Sequence, residues 1–473
     1  MKKFDIALIG LGVMGQSLAR NLASRKLRVL TYNRHADKAR NFIEKFGNDY
    51  LDYRNNLMML TEELESPRKI ILMVPAGKPV DDMINELMPF ISNGDIIIDA
   101  GNSLYSDTIR RHEALQKKDI NYVGMGVSGG EEGALRGPSI MVGSENDVWK
   151  EIKPALQKIA AKDFSGKPCV AHIGTDGAGH FVKMVHNGIE YAVMQLMAEA
   201  YQMLKQMYAL DAGKISKIFD KYNKGKLKSY LFEISAEVLA RKDELSKKGF
   251  LVDHILNKAG QKGTGRWTVI ESLLKGSSVP TISEAVFARS ISSLKDERVS
   301  LNKLYKFKKT RVKISLPKFT KLLENALYAG MISSYAQGFE LIRVAAEEQK
   351  WKIDFAEISR IWEGGCIIRA ELLNFLHKAF SKSTKPANMF AMTEIKKAMT
   401  AGVPSLAEVV SAGAMSGISI PAMSASLNYF RSMTSDILPA NFIQGLRDYF
   451  GAHTYERTDK EGVFHTQWSD LIL

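Results

Sequence analysis

Lys183, His186, Asn187, Glu190 and Tyr191 follow one another at offsets of three, four, seven and eight residues from the lysine. On a helix those offsets share one face. The residues around them, Phe181, Val182, Met184, Val185, Ile189 and Val193, are apolar. A polar stripe on an otherwise apolar helix is not a typical solvated face; it reads as the lining of a water- or substrate-filled cleft. Lys183 and Glu190 stand two turns apart, about 10 Å along the axis. An amine and a carboxylate at that separation leave room for a sugar acid between two groups able to move protons. An exposed Lys–Glu stripe is the plainer alternative.

A second chemical signal is Gly10-Leu11-Gly12-Val13-Met14-Gly15, between a short apolar run and a helical pattern. Its glycines suit a tight turn, a close approach of backbone to a pyrophosphate, and close helix–strand packing. The helix N-terminus would face the phosphates. The end of the second strand, Asn33-Arg34-His35 with Lys38 beyond, offers no carboxylate for a ribose 2′-hydroxyl. A guanidinium there can grip a 2′-phosphate in a bidentate manner, which favours NADP. A third cluster, Gly126-Val127-Ser128-Gly129-Gly130, frees backbone N–H groups for a carboxylate or oxyanion, or is a plain loop.

The elements that must hold these groups are legible in outline. Apolar runs at Phe4–Ile9, Arg28–Tyr32, Lys69–Val74, Asp95–Ile98 and Asn121–Val127 alternate with helix-like stretches such as Gln16–Ser24 and Val80–Leu87. That alternation predicts a parallel α/β sheet. The Gly-rich stretch Lys167–Gly179 marks the expected boundary. Beyond it, Phe181–Tyr208, Phe319–Gln349, Ala356–Phe380 and Leu406–Met415 carry helical spacing. The stretch Val409–Met423 reads as a tightly packed buried helix. The expected organisation is an α/β N-terminal Rossmann domain over residues 1–176, a large all-α domain over 177–434, and a tail over 435–473. The tail, with Tyr455, Phe464 and Trp468, is a frayed end or an arm packing on a partner subunit.

The 473 residues carry 65 Lys and Arg against 52 Asp and Glu, a net charge of +13. With 45% hydrophobic and 25% charged residues, the chain is neither mainly disordered nor collagen-like. The basic balance fits an anionic partner: nucleic acid, membrane surface or phosphorylated small molecule. Two distant cysteines, Cys169 and Cys366, form no disulfide framework and suit a reducing compartment, hence the cytoplasm. The opening apolar run is too short for a signal-peptide core, and no stretch reads as a membrane span.

Taken together, the motifs resemble the 6-phosphogluconate dehydrogenases, the decarboxylating, NADP-dependent enzymes of the pentose phosphate pathway. The resemblance spans essentially the whole chain. It rests on GLGVMG at Gly10, YNR at Tyr32, GVSGGEEGA at Gly126 and GAGHFVKMVHNGIEY at Gly177. It continues through KGTG at Lys262, VFARSISSLKDERV at Val286, GGCIIRAELL at Gly364, RDYFGAHTYER at Arg447 and FHTQW at Phe464. It implies a homodimer with a tail from each subunit reaching the other. It implies that Lys183 is the general base and Glu190 the general acid. NADP would be bound by residues 10–15, Asn33, Arg34, His35, Val74, Pro75, Ala76 and Asn102. Asn102, Ser128, Gly129, Gly130, His186 and Asn187 would hold the substrate carboxylate and upper hydroxyls. Tyr191, Lys262, Thr264, Arg289 and Arg447 would hold its phosphate, with Arg447 and His453 supplied by the partner. No metal site is implied, and no HExxH or similar ligand cluster is present.

Several positions depart from the family pattern. Pro75 replaces a Lys beside the expected nicotinamide site and has no N–H to donate. Ala100 replaces a Gly, His35 a Thr, Val142 a Pro, Ala192-Val193 a Gly-Asp pair, and Arg266 a Lys. Two rival readings remain. One is a shorter type of β-hydroxyacid dehydrogenase, which lacks the Arg447-to-His453 segment. The other is an inactive nucleotide binder or nucleic-acid binder, suggested by the basic, aromatic-interleaved run Lys303–Lys313. The expectation adopted is a phosphorylated sugar acid as substrate, with neither nucleic acid nor membrane as partner.

Overall fold

The computed structural model describes residues 3–305, 312–382 and 388–468. They form two compact units, divided between Ser426 and Leu427. The first opens with β1 (Ile6–Ile9), β2 (Val29–Tyr32), β3 (Leu51–Tyr53), β4 (Lys69–Leu72), β5 (Ile96–Asp99), β6 (Asn121–Ser128), β7 (Ser139–Gly143) and β8 (Val170–Gly174). These strands make one sheet in the order β3-β2-β1-β4-β5-β6-β7-β8. Neighbours are parallel except β6 and β7, which are antiparallel. Between the strands run α1 (Val13–Ser24), α2 (Ala36–Phe46), α3 (Leu57–Glu62), α4 (Lys78–Leu87), α5 (Tyr105–Gln116), α6 (Gly130–Arg136) and α7 (Asn146–Ile159).

The central strands carry continuous apolar runs, IALI in β1 and IIL after Lys69 in β4, because both faces of the sheet are covered. Adjacent residues serve opposite cores. Ile71 and Ile98 pack with Leu18, Leu22 and Leu156 on one face. Ile70 and Ile97 pack with Val80, Leu87 and Leu115 on the other. The strand order reverses between β1 and β4, where open sheets of this kind take their ligands. The Gly10 turn lies at that crevice, and its backbone touches the end of β4 at Met73.

The rest is helical: α8 (Ala178–Tyr208), α9 (Ala212–Asn223), α10 (Tyr230–Ala240), α11 (Leu251–His254), α12 (Thr264–Leu274), α13 (Pro280–Ser293), α14 (Lys295–Leu304), α15 (Leu316–Gln349), α16 (Phe355–Ile361), α17 (Glu371–Ser381), α18 (Thr393–Met415) and α19 (Pro421–Met433). The long helices α8 and α15, 31 and 34 residues, pack on each other. The second unit holds α20 (Ala440–Gly451) and an antiparallel pair, β9 (Tyr455–Glu456) with β10 (Val463–Phe464). Its centre is the buried Asp448 carboxylate, which accepts from the Thr454 and Thr466 N–H groups (2.9 and 3.1 Å) and Trp468 Nε1 (2.7 Å). Among the described residues no helix is long and apolar enough to cross a membrane.

The expected α/β domain followed by a helical body is the observed architecture. Three strands differ from the sequence reading. β3 is three residues long, β7 follows Pro138, and β8 lies inside the stretch assigned to the boundary. The segment Ala356–Phe380 is two helices, because Gly364-Gly365, with Gly365 at φ +68°, turns the chain between them. Val409–Met423 is likewise not one helix: α18 ends at Met415, Gly417 turns at φ +64°, and α19 begins at Pro421.

Candidate active site

Helix α8 enters the sheet by backbone contact. A Cβ on Gly179 would stand 2.4 Å from the Gly124 carbonyl oxygen and 2.5 Å from that of Met141. Gly124 and Gly143 face each other across the β6–β7 pair, and each would collide with the Asp176 carbonyl if it carried a side chain. Gly126 clears the Lys183 side chain in the same way. Glycines on three elements thus set α8 directly on the antiparallel strands, which seats its first turns. From the other side, Gly188 admits Thr268 of α12, whose hydroxyl donates to the Met184 carbonyl at 2.8 Å.

This seating gathers the expected polar stripe. Lys183 Nζ donates to Asn187 Oδ1 at 2.7 Å. Asn187 Nδ2 donates to Thr264 Oγ1 at 2.9 Å, so α12 fixes the amide. His186 Nδ1 is 3.1 Å from Asn187 Oδ1 and its Nε2 is 3.2 Å from Ser128 Oγ. With the proton on Nδ1, Nε2 accepts from the serine. The Glu190 carboxylate lies 4.0 Å from His186 Nδ1. Ser128, Gly129 and Gly130 close β6 and start α6, the two glycines at φ +129° and +64°.

Burial sets the charges. It pulls the Lys183 ammonium below its ordinary range, against Glu190 and Cys366, which pull upward. It pushes the Glu190 carboxyl up, against Lys183 and Arg289. It moves His186 well down, with Lys183 adding to the effect, so the ring is neutral. The result is an amine shifted toward its basic form and a carboxyl shifted toward its acidic form, two turns apart on one helix.

At the strand ends, Gly10 takes φ +101°, and a Cβ there would meet the Met73 carbonyl oxygen at 2.5 Å. Gly15 lies against the Gly10 carbonyl, whereas Gly12 has open space where its Cβ would be. That opening lies at the N-terminus of α1, which has no side-chain cap and no acidic residue in its first turn. The geometry suits a pyrophosphate. Leu11 packs inward, Val13 is exposed and Met14 half-buried. Asn33 Oδ1 accepts from the Leu11 N–H at 3.1 Å, so it props the glycine turn. Arg34, His35 and Lys38 are exposed beside it. Pro75 and Asn102 are exposed, Val74 and Ala76 half-buried, on neighbouring loops.

Arg289 stacks over the Tyr191 ring at 3.4 Å from its centroid and donates to the Gly260 carbonyl at 3.2 Å. Lys262 is exposed, two residues before Thr264 on the turn that leads into α12. Arg447 and His453 belong to the second unit, where Arg447 donates to Gln444 Oε1 at 3.0 Å. The run Lys303–Lys313 crosses positions 306–311, which lie outside the described residues.

Sequence reasoning missed several contributors. Trp362 packs edge-on against His186 at 5.4 Å between centroids. The buried Cys366 thiol, pushed up to about 12 by burial, is a neighbour of Lys183. Arg111 binds the Asp81 carboxylate (2.8 Å) and the Gly77 carbonyl (3.0 Å), with Asp99 at 3.6 Å. Asp99 in turn holds the Gly101 N–H at 3.1 Å, so one buried cluster ties the loops carrying Ala76 and Asn102. None of these shows a periodic signal in the chain. Glu86 of α4, which meets Arg34, was also unforeseen.

Residues 5–174 match the NAD binding domain of 6-phosphogluconate dehydrogenase, and residues 179–468 match its C-terminal domain. A decarboxylating 6-phosphogluconate dehydrogenase of Escherichia coli is 45% identical over 469 residues, 99% of this chain and 100% of the relative. An NADP(+)-dependent, decarboxylating one of Bacillus subtilis (strain 168) is 45% identical with the same coverage. The Plasmodium falciparum 6-phosphogluconate dehydrogenase, solved in apo form and with NADP+ and with 6-phosphogluconate, gives a TM-score of 0.95 at 42% identity. That match covers 98% of this chain and 100% of the other.

Proposed function

The chain belongs to the 6-phosphogluconate dehydrogenase family, and we propose from that membership how its own side chains carry the reaction. It oxidises and decarboxylates 6-phospho-D-gluconate with NADP, giving D-ribulose 5-phosphate, carbon dioxide and NADPH in the pentose phosphate pathway. The match runs through the Arg447-to-His453 segment.

NADP, when bound, supplies the hydride acceptor. Lys183, shifted toward its neutral form, takes the proton of the C3 hydroxyl as C3 is oxidised. The resulting 3-keto acid loses its carboxylate as carbon dioxide, and protonated Lys183 gives its proton to the developing enolate oxygen. Glu190, held toward its protonated form, then delivers a proton to the carbon that becomes C1 of the product, while the enol proton returns to Lys183. The cycle leaves Lys183 protonated and Glu190 ionised; one proton passed from the first to the second restores both. The seating of Lys183 and Glu190 on one face of α8, the lysine on Asn187 and the carboxylate beside His186, is the observation that carries the assignment, and their opposed shifts agree with it.

Residues 10–15 with Asn33, Arg34, His35, Val74, Pro75, Ala76 and Asn102 are the proposed cofactor contacts. Gly12's open approach and the uncapped α1 support them. Asn102, Ser128, Gly129, Gly130, His186 and Asn187 take the sugar-acid end, and Tyr191, Lys262, Thr264 and Arg289 the phosphate. In the proposed division, residues 1–176 bind cofactor, 177–434 catalyse and dimerise, and 435–473 reach a second subunit, bringing Arg447 and His453. Support comes from apolar side chains left exposed: Phe287 and Ile291 on α13, and Phe442, Ile443 and Phe450 on α20. The two cysteines are free and buried, which fits a reducing cytoplasm.

The test is the appearance of reduced-nicotinamide absorbance and carbon dioxide from 6-phosphogluconate with NADP or NAD in parallel. Equimolar NADPH and carbon dioxide support the reading; reduction of NAD alone, or none, opposes it.

A further inference from the structure

Arg34 is the guanidinium assigned above to the 2′-phosphate, and its charge is already engaged. Its NH2 group meets Glu86 Oε1 on α4. The side chains are 58% and 41% exposed, so the pair is not part of the core and contributes little to the fold. It stands at the carboxyl end of β2, where the ribose of a dinucleotide is expected. Tyr32, the last residue of that strand, senses both partners: burial and then Glu86 push its phenol up, and Arg34 pulls it down. Lys78 of the same helix is engaged with Asp82, leaving Glu86 to Arg34.

We propose that Glu86 is a specificity-determining residue that competes with the 2′-phosphate of NADP for Arg34. A dianionic phosphate offers the guanidinium the better bidentate partner, so the pair must open, or the carboxylate must stay beside the phosphate and repel it. Either course weakens NADP binding relative to a chain with a neutral residue at position 86. NAD carries no 2′-phosphate and leaves the pair intact. Glu86 therefore narrows the margin of NADP over NAD, a repulsive counterpart to the attraction supplied by Arg34. The inference rests on the assignment of Arg34 to the 2′-phosphate.

The experiment is calorimetric titration of the full chain with adenosine 2′,5′-bisphosphate and with adenosine 5′-monophosphate, which differ only in the 2′-phosphate. Wild type, Glu86→Gln, Arg34→Ala and the double variant are compared at low salt. Glu86→Gln is expected to tighten the bisphosphate about two- to fivefold, the range of an exposed ion pair, and to leave the monophosphate unchanged. The gain should vanish in the Arg34→Ala background. An equal gain for both ligands, no gain, or a gain that survives without Arg34 overturns the proposal. If Arg34→Ala alone does not weaken the bisphosphate, the assignment of Arg34 itself fails; if it does and Glu86→Gln changes nothing, only the role of Glu86 fails.

Discussion

A Cβ placed on Gly126 would stand 2.5 Å from the Cβ of Lys183, and only 2.8 Å from the Gly179 carbonyl oxygen. The proposed base is thus positioned by bare backbone of β6. Gly126→Ala must push α8 outward, and the displacement reaches the reacting atoms. Misplacement of about 1 Å can cost around a hundredfold in rate. Stopped-flow or steady-state assays should show kcat reduced by at least about tenfold, with NADP affinity retained because the β1 turn is untouched. Unchanged kcat would show that the contact does not set the base.

The opposed shifts of Lys183 and Glu190 have a definite sign. Burial lowers Lys183 from 10.5, so the free amine persists to lower pH, and activity rises with pH through that lowered value. Burial raises Glu190 from 4.5, so the acid persists to higher pH and is lost as pH rises through the raised value. A bell-shaped pH profile of kcat follows, because Glu190 acts after the loss of carbon dioxide and so enters kcat rather than kcat/KM. Glu190→Gln has no proton to lose, so the alkaline limb should disappear, with turnover about 10²- to 10⁴-fold lower. A limb that persists in this variant belongs to another group.

The two glycines of the dinucleotide turn should fail differently. A Cβ at Gly15 would meet the Gly10 carbonyl oxygen at 1.9 Å, so Gly15→Ala should lower the melting temperature, with a cost of about 1–3 kcal/mol. Gly12 has free space, so Gly12→Val should fold normally and fill the approach of the pyrophosphate. Calorimetry should find its melting transition unchanged and its NADP binding at least tenfold weaker. Equal NADP affinity would place the pyrophosphate elsewhere.

Much of this site was legible because its signals are local. The stripe from Lys183 to Tyr191 needs only helical spacing, and the Gly10 turn needs only its flanking strand and helix. What escaped is long-range. Glu86 reaches Arg34 across 52 residues, and Arg111 reaches Asp81 across 30. β3 is too short to show a pattern, and β8 was hidden among glycines and small residues. Trp362 and Cys366 flank a glycine turn inside what spacing alone reads as one helix.

The joint between α16 and the loop before β8 predicts an acid-sensitive fold. Arg360 donates to Asp163 Oδ2 and to the Pro168 carbonyl, both at 2.9 Å. Burial alone would raise the Asp163 carboxyl, but Arg360, Ser165 and Lys167 outweigh it and hold it at about 2, against an ordinary 3.8. A depressed folded value means stabilisation that is present above about pH 4 and lost as pH falls through about 2. Arg360→Met strands a buried carboxylate and should cost about 3–5 kcal/mol in urea unfolding at pH 7. It should also flatten the acid limb of stability. A cost below about 1 kcal/mol would contradict the role given to this pair.

Removal of the C3 hydroxyl proton by neutral Lys183 is read out by single-turnover NADPH formation in Lys183→Ala. That rate should fall by at least about 10³-fold with calorimetric NADP binding unchanged. Added ethylamine should restore part of it, the more so as pH rises and the free amine appears. A rate within tenfold of wild type, or a loss that tracks lost NADP binding and resists the amine, would rule out Lys183 as the base.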